Sequence, residues 1–140
     1  MHKINGGCHC GNILVELELA HAPENYNPRA CDCDFCRKHS AAYVSDPQGS
    51  LSCRINDERY CGWYRQGSGI AEFLICTHCG VLVAVLYRND GQLHAAVNAK
   101  AINGGKGFGM EQSVSPKTLS ASEKVTRWQE FWFHNVSILT

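Results

Sequence analysis

The chain has 140 residues, 44% of them apolar, and 13 Lys and Arg against 13 Asp and Glu, so its formal net charge is zero. That length predicts one domain over residues 1–140 with a core of its own, and the even charge gives no basis for a polyanion-binding surface, hence no nucleic-acid partner. No apolar run approaches the ~20 residues of a membrane span, and Met1-His2-Lys3-Ile4-Asn5 opens no signal sequence, so neither a membrane partner nor secretion is expected.

Taken in order, Gly6-Gly7 lead to Cys8 and Cys10, which share one side if that segment is extended. Gly11 follows, where a tight turn needs a residue without Cβ. Asn12 to Leu19 alternates, with Ile13, Val15, Leu17 and Leu19 on one face and Glu16 and Glu18 on the other, so it predicts a strand with one wet face. Ala22 to Pro28 is a loop by its Pro and Asn content. Ala41 to Ser45 predicts a short strand, and Leu51, Cys53 and Ile55 predict another. Arg59 to Arg65 predicts an aromatic-rich strand interrupted by Gly62. Ala71 to Cys76 precedes Val81 to Tyr87, a nearly continuous apolar run that predicts a central strand. Asn89-Asp90-Gly91 marks a hairpin, and Leu93 to Val97 returns. Asn98 to Gln112 reads as a Gly-rich loop. Within it, Gly104-Gly105-Lys106-Gly107-Phe108-Gly109 opens no helix and is no phosphate-binding fingerprint. Ser120-Ala121-Ser122-Glu123 is a capping box, and Val125, Trp128 and Phe131 or Trp132 predict one short C-terminal helix with aromatics on the core. Short strands at this spacing predict an all-β fold.

Nine cysteines without a secretory signal argue for a reducing, cytoplasmic setting, where clustered thiols hold metal more often than they form disulfides. Seven of them fall in three groups: Cys8 with Cys10, Cys31 with Cys33 and Cys36, and Cys76 with Cys79. Zinc takes four thiolates in a closed structural site, or three ligands and an open position in a catalytic one. Two pairs make the closed site, Cys8, Cys10, Cys76 and Cys79, and each pair is followed by a glycine, Gly11 or Gly80. The remaining trio, Cys31, Cys33 and Cys36, makes the open one. Arg37 and Lys38 beside the trio favour thiolate and attract anions.

Other readings stay open at this level. The pairs can be buried core thiols. The trio can be a second structural zinc with His39, Cys53 or Cys61 as fourth ligand, or Cys33 and Cys36 can be a redox dithiol. Cys53 and Cys61 read as core, His9 and His78 as solvated residues or as neighbours supporting the ligands, and Asp32 and Asp34 as exposed.

Gly7-Cys8-His9-Cys10-Gly11, then Cys31-Asp32-Cys33-Asp34-Phe35-Cys36-Arg37-Lys38, then Cys76-Thr77-His78-Cys79-Gly80 resemble the glutathione-dependent formaldehyde-activating enzyme family, which includes centromere protein V. The resemblance covers residues 6 to about 97. It implies an Mss4-like β-tent of short antiparallel strands, a structural zinc on Cys8, Cys10, Cys76 and Cys79, and a catalytic zinc on Cys31, Cys33 and Cys36. Exposed thiols at an open site are vulnerable to oxidation, so the second site can be empty. The resemblance also implies a carbon–sulfur lyase acting on a thiol–aldehyde adduct such as S-(hydroxymethyl)glutathione, with a small-molecule thiol as partner. After residue 98 no family motif for binding glutathione can be placed. The alternative from another class is a non-catalytic zinc module that docks a protein partner.

Overall fold

A computed structural model describes residues 1–104 and 107–140. In chain order the strands are β1 (His2–Gly7), β2 (Ile13–Leu19), β3 (Arg29–Cys31), β4 (Ala42–Val44), β5 (Ser50–Ile55), β6 (Cys61–Tyr64), β7 (Glu72–Cys76), β8 (Leu82–Asn89), β9 (Gln92–Asn98), β10 (Gln112–Val114) and β11 (Val136–Leu139). The helices are α1 (Asp34–Lys38) and α2 (Ala121–Phe131). The fold is all-β with one longer helix near the C-terminus, as the short alternating segments predict.

The strands form two sheets. The smaller runs β1-β2-β5-β11 and the larger runs β10-β3-β4-β9-β8-β7-β6. In β2, Ile13, Val15, Leu17 and Leu19 are all buried, and opposite them Leu51, Cys53 and Ile55 of β5 are buried too. These side chains meet Leu74, Val83, Leu86, Ala95 and Val97 of the larger sheet in the main core. The other face of the larger sheet buries Phe73, Leu82, Val85, Tyr87 and Ala96 beneath Val125, Trp128 and Trp132. Strand β8 is thus covered on both faces, which is why residues 82–87 read as an unbroken apolar run rather than an alternation. The β8–β9 turn puts Asp90 at φ 50° and Gly91 at φ 82°, the two left-handed positions a tight hairpin requires.

Several expectations need correction. Cys8 and Cys10 are not in an extended segment: β1 ends at Gly7, and the Gly11 N–H donates to the Cys8 carbonyl in a turn. Gly62 does not interrupt its strand but lies inside β6, where an added Cβ would sit 3.0 Å from Thr77. Helix α1 was not foreseen; it is too short to show a period. Two strand pairs are parallel, β10 with β3 and β11 with β5, against an expectation of antiparallel pairing only. The capping box at Ser120 is present. Of the aromatics after it, Trp132 is 8% exposed and Phe131 45%, while Phe133 is fully buried. Part of the Gly-rich stretch, residues 105–106, lies outside the described residues.

Candidate metal centres

The turn after β1 carries Cys8 and Cys10, and the turn after β7 carries Cys79, with Cys76 at the strand end. The four sulfurs lie within 4.8 Å of one another. Cys10 Sγ is 3.7 Å from Cys8 Sγ and 3.6 Å from Cys76 Sγ. Zinc–sulfur bonds of ~2.3 Å arranged as a tetrahedron place sulfurs roughly 3.8 Å apart, so the set fits that ion. The glycines act as predicted: Gly11 (φ +85°) and Gly80 (φ +83°) hold left-handed turns in open space. Those turns aim backbone N–H groups at the sulfurs; the Ile13 N–H, for one, lies 3.2 Å from Cys8 Sγ. Because Cys8 and Cys10 border the smaller sheet and Cys76 and Cys79 the larger, a metal here cross-links the two.

The second centre lies on the outer face of the larger sheet. Cys31 ends β3, Cys33 caps the N-terminus of α1, and Cys36 sits in α1. Their sulfurs also lie within 4.8 Å of one another, and among the described residues no fourth Cys, His or carboxylate joins them. The Cys36 N–H points at Cys33 Sγ across 3.4 Å. Two side chains that sequence reasoning missed complete the surroundings. The buried Tyr43 hydroxyl is 3.3 Å from Cys36 Sγ, and Gln66 Nε2 lies 3.9 Å from Cys33 Sγ. Phe35 packs against Phe73, His39 and Tyr64 with ring centroids 4.7, 4.8 and 5.0 Å away, which walls one side with aromatic rings.

Strand β10 and the turn after it brace this cluster. The Asp32 N–H donates to the Val114 carbonyl, and Ser115 Oγ donates to Asp32 Oδ2 at 2.5 Å, with Lys117 Nζ 3.9 Å away. Asp32 is therefore partly buried rather than exposed, and its Oδ1 is buried with no partner. Asp34 is exposed, as expected.

The electrostatics suit a cation. The Cys31 thiol is held down to about 6, chiefly by its contact with Cys36, with further help from Cys33. The same contact and burial push Cys36 up, so one sulfur of the trio ionises readily and its neighbour resists. Burial, with Cys36 beside it, raises Tyr43, so its phenol stays protonated and can donate to sulfur. In the four-thiol centre burial works to raise Cys79, but the Cys10 and Val81 N–H groups together with the Cys76 and Cys10 thiols outweigh it and bring the thiol down to about 6. A bound dication would supply the positive charge that turns the whole of each set into thiolates.

The remaining candidates fall where the sequence placed them. Cys53 is fully buried in the main core and Cys61 packs at its edge, so neither reaches the trio. His39 turns its ring to Phe35, and exposed His78 turns its ring to Tyr60 at 5.2 Å. His9 is exposed. Among the described residues no helix is long and apolar enough to cross a membrane.

Compared with known proteins, residues 3–118 match the family model described as glutathione-dependent formaldehyde-activating enzyme. A crystal structure of a Rhodobacter sphaeroides protein is similar at 27% identity with a TM-score of 0.56, over 72% of this chain and 89% of that one. No curated protein matches the chain.

Proposed function

The chain belongs to the glutathione-dependent formaldehyde-activating enzyme family, and from that premise we propose that it is a zinc-dependent carbon–sulfur lyase-type enzyme. Its substrate on this reading is a thiol–aldehyde adduct such as S-(hydroxymethyl)glutathione. One Mss4-like β-tent domain over residues 1–140 carries two zinc ions in a reducing, cytoplasmic setting. Cys8, Cys10, Cys76 and Cys79 hold the structural ion, and Cys31, Cys33 and Cys36 hold the catalytic one. The observation that carries the reading is the three-sulfur set without a fourth protein ligand among the described residues. Such a set leaves one tetrahedral position for a substrate atom.

When bound there, zinc supplies a Lewis acid that favours thiolate and polarises a carbonyl oxygen. The chain's own groups arrange the rest. Tyr43 donates toward Cys36 Sγ and disperses its charge. Gln66 holds its amide over Cys33 Sγ. The Phe35, Phe73 and Tyr64 rings keep water from one side of the site. Exposed Arg37 and Lys38, in the last turn of α1, raise the local positive potential for an anionic thiol. In the forming direction, sulfur bonds to the carbonyl carbon, the C=O π pair moves to oxygen, and the thiol proton ends on the new hydroxyl. The reverse breaks the C–S bond, and nothing is oxidised or reduced.

Two-dimensional exchange NMR on a glutathione–formaldehyde mixture tests this. Catalytic amounts of zinc-loaded protein should speed exchange between adduct and free components, and Cys33→Ser should abolish the acceleration. Exchange no faster with fully loaded wild type than with buffer refutes the activity.

A further inference from the structure

We infer that Arg29 and Arg127 form a carboxylate-binding subsite beside the three-cysteine centre and so select thiols that carry a carboxylate. The inference rests on the open-site reading above.

Arg29 opens β3, two residues before Cys31. Side chains at i and i+2 of a strand share a face, with Cα atoms about 7 Å apart. Its cross-strand partner is Tyr43, the residue whose hydroxyl approaches Cys36 Sγ. Arg29 therefore lies on the face of the sheet that carries the thiols. Its guanidinium has one hydrogen-bond acceptor among the described residues, Ser45 Oγ at 2.6 Å, and that hydroxyl in turn donates to the Phe131 carbonyl at the end of α2. Four residues earlier on α2, Arg127 lies over the Phe131 ring, its guanidinium carbon 5.4 Å from the centroid.

What is missing is an anion. Among the described residues, no carboxylate lies within 4.0 Å of either guanidinium. A guanidinium taken out of water is ordinarily paired. Arg29 is half-buried, and the one acceptor it has is a neutral hydroxyl. A carboxylate from outside would supply the missing partner. The planar fork of a guanidinium matches a carboxylate through two parallel hydrogen bonds, and the second arginine adds charge from the solvent side. A small acidic thiol, or a thiol peptide with a free carboxylate, can then place sulfur at the open position and its carboxylate at Arg29. The competing reading is structural, with Arg29 serving only to tie β3 to the end of α2 through Ser45.

The test uses the full chain loaded with cobalt and follows the thiolate-to-metal absorption as thiol is added. The probes are glutathione and glutathione diethyl ester, which keeps the thiol and the peptide but masks both carboxylates. Charge-assisted hydrogen bonds of this kind are worth about tenfold or more in affinity. Wild type should bind glutathione at least about tenfold more tightly than the diester. In Arg127→Gln, at an exposed helical position, that ratio should fall several-fold, and in Arg29→Gln it should approach one. Arg29→Lys should recover only part of it. Succinate should displace glutathione but not the diester. Equal affinity for the two thiols, or a preference unchanged in Arg127→Gln, overturns the subsite while leaving the open site standing. Inorganic phosphate displacing glutathione better than succinate overturns the assignment to carboxylate. If neither thiol alters the spectrum of fully loaded wild type, the open-site reading fails and the subsite fails with it.

Discussion

Replacing Cys8 and Cys10 together by serine removes one side of the cross-link between the two sheets. The magnitude follows from the loop the metal closes. Cys10 and Cys76 are 66 residues apart, and restricting a loop of that length in the unfolded chain is worth about 4 kcal/mol on the chain-entropy scale for cross-links. Metal binding in such sites adds directly to folding free energy, so this figure is a floor. For a domain of this size the melting temperature should fall by roughly 10–15 °C. Thermal unfolding in zinc-containing buffer, with metal content measured on the same samples by mass spectrometry, provides the assay. The variant should carry one metal fewer than wild type, and chelating wild type to the same metal content should reproduce most of its loss. A variant that melts within about 2 °C of wild type would refute the reasoning, as would unchanged metal content.

Other outcomes follow from single contacts. Tyr43→Phe removes the hydroxyl 3.3 Å from Cys36 Sγ, and should weaken metal binding at the trio by about 10-fold, read by competition with a chromogenic chelator while the melting temperature of the other centre stays put. Buried Asp46 accepts from the Tyr26 hydroxyl at 2.6 Å and from the Gln48 and Ala20 N–H groups at 2.8 and 2.9 Å. Burial works to raise it, but these bonds prevail and hold it below the usual carboxylate range. Its contribution is therefore present above that range and lost as pH falls through the folded-state value; Asp46→Asn should cost about 1–3 kcal/mol at pH 7 by urea titration, and the cost should shrink progressively as pH falls below the usual carboxylate range. Burial, and then the charge of His134, lower His94, whose Nδ1 is buried without a partner. Its neutral form is the folded one, so stability should fall as pH drops below about 6.5, and His94→Gln should lose less between pH 7.5 and 5.5 than wild type measured in parallel.

Much of this was legible because the signals were local. The β2 alternation, the hairpin at Asn89-Asp90-Gly91 and the capping box at Ser120 each involve neighbours along the chain, and each is present. The thiol partition was legible because the number of sulfurs per cluster constrains what one ion can hold. What failed was the geometry between distant segments. Nothing near Val136–Leu139 says that it pairs in parallel with β5, and nothing near Ser115 says that it grips Asp32, 83 residues away. Tyr43 and Arg29 were missed for a related reason. Each lies in a three-residue strand, too short for alternation to fix a face, and only the β3–β4 pairing sets them opposite each other beside the thiols. A charged residue two places before Cys31 was the one available hint.

The claim that the trio is an open centre meets its most direct test in a cobalt titration. Wild type loaded at both centres should change its thiolate-to-metal absorption when glutathione is added, and Cys33→Ser should not. Glutathione that leaves the spectrum of fully loaded wild type unchanged would mean that the protein itself fills the fourth position, and the chain would then be a zinc module that docks a partner rather than an enzyme.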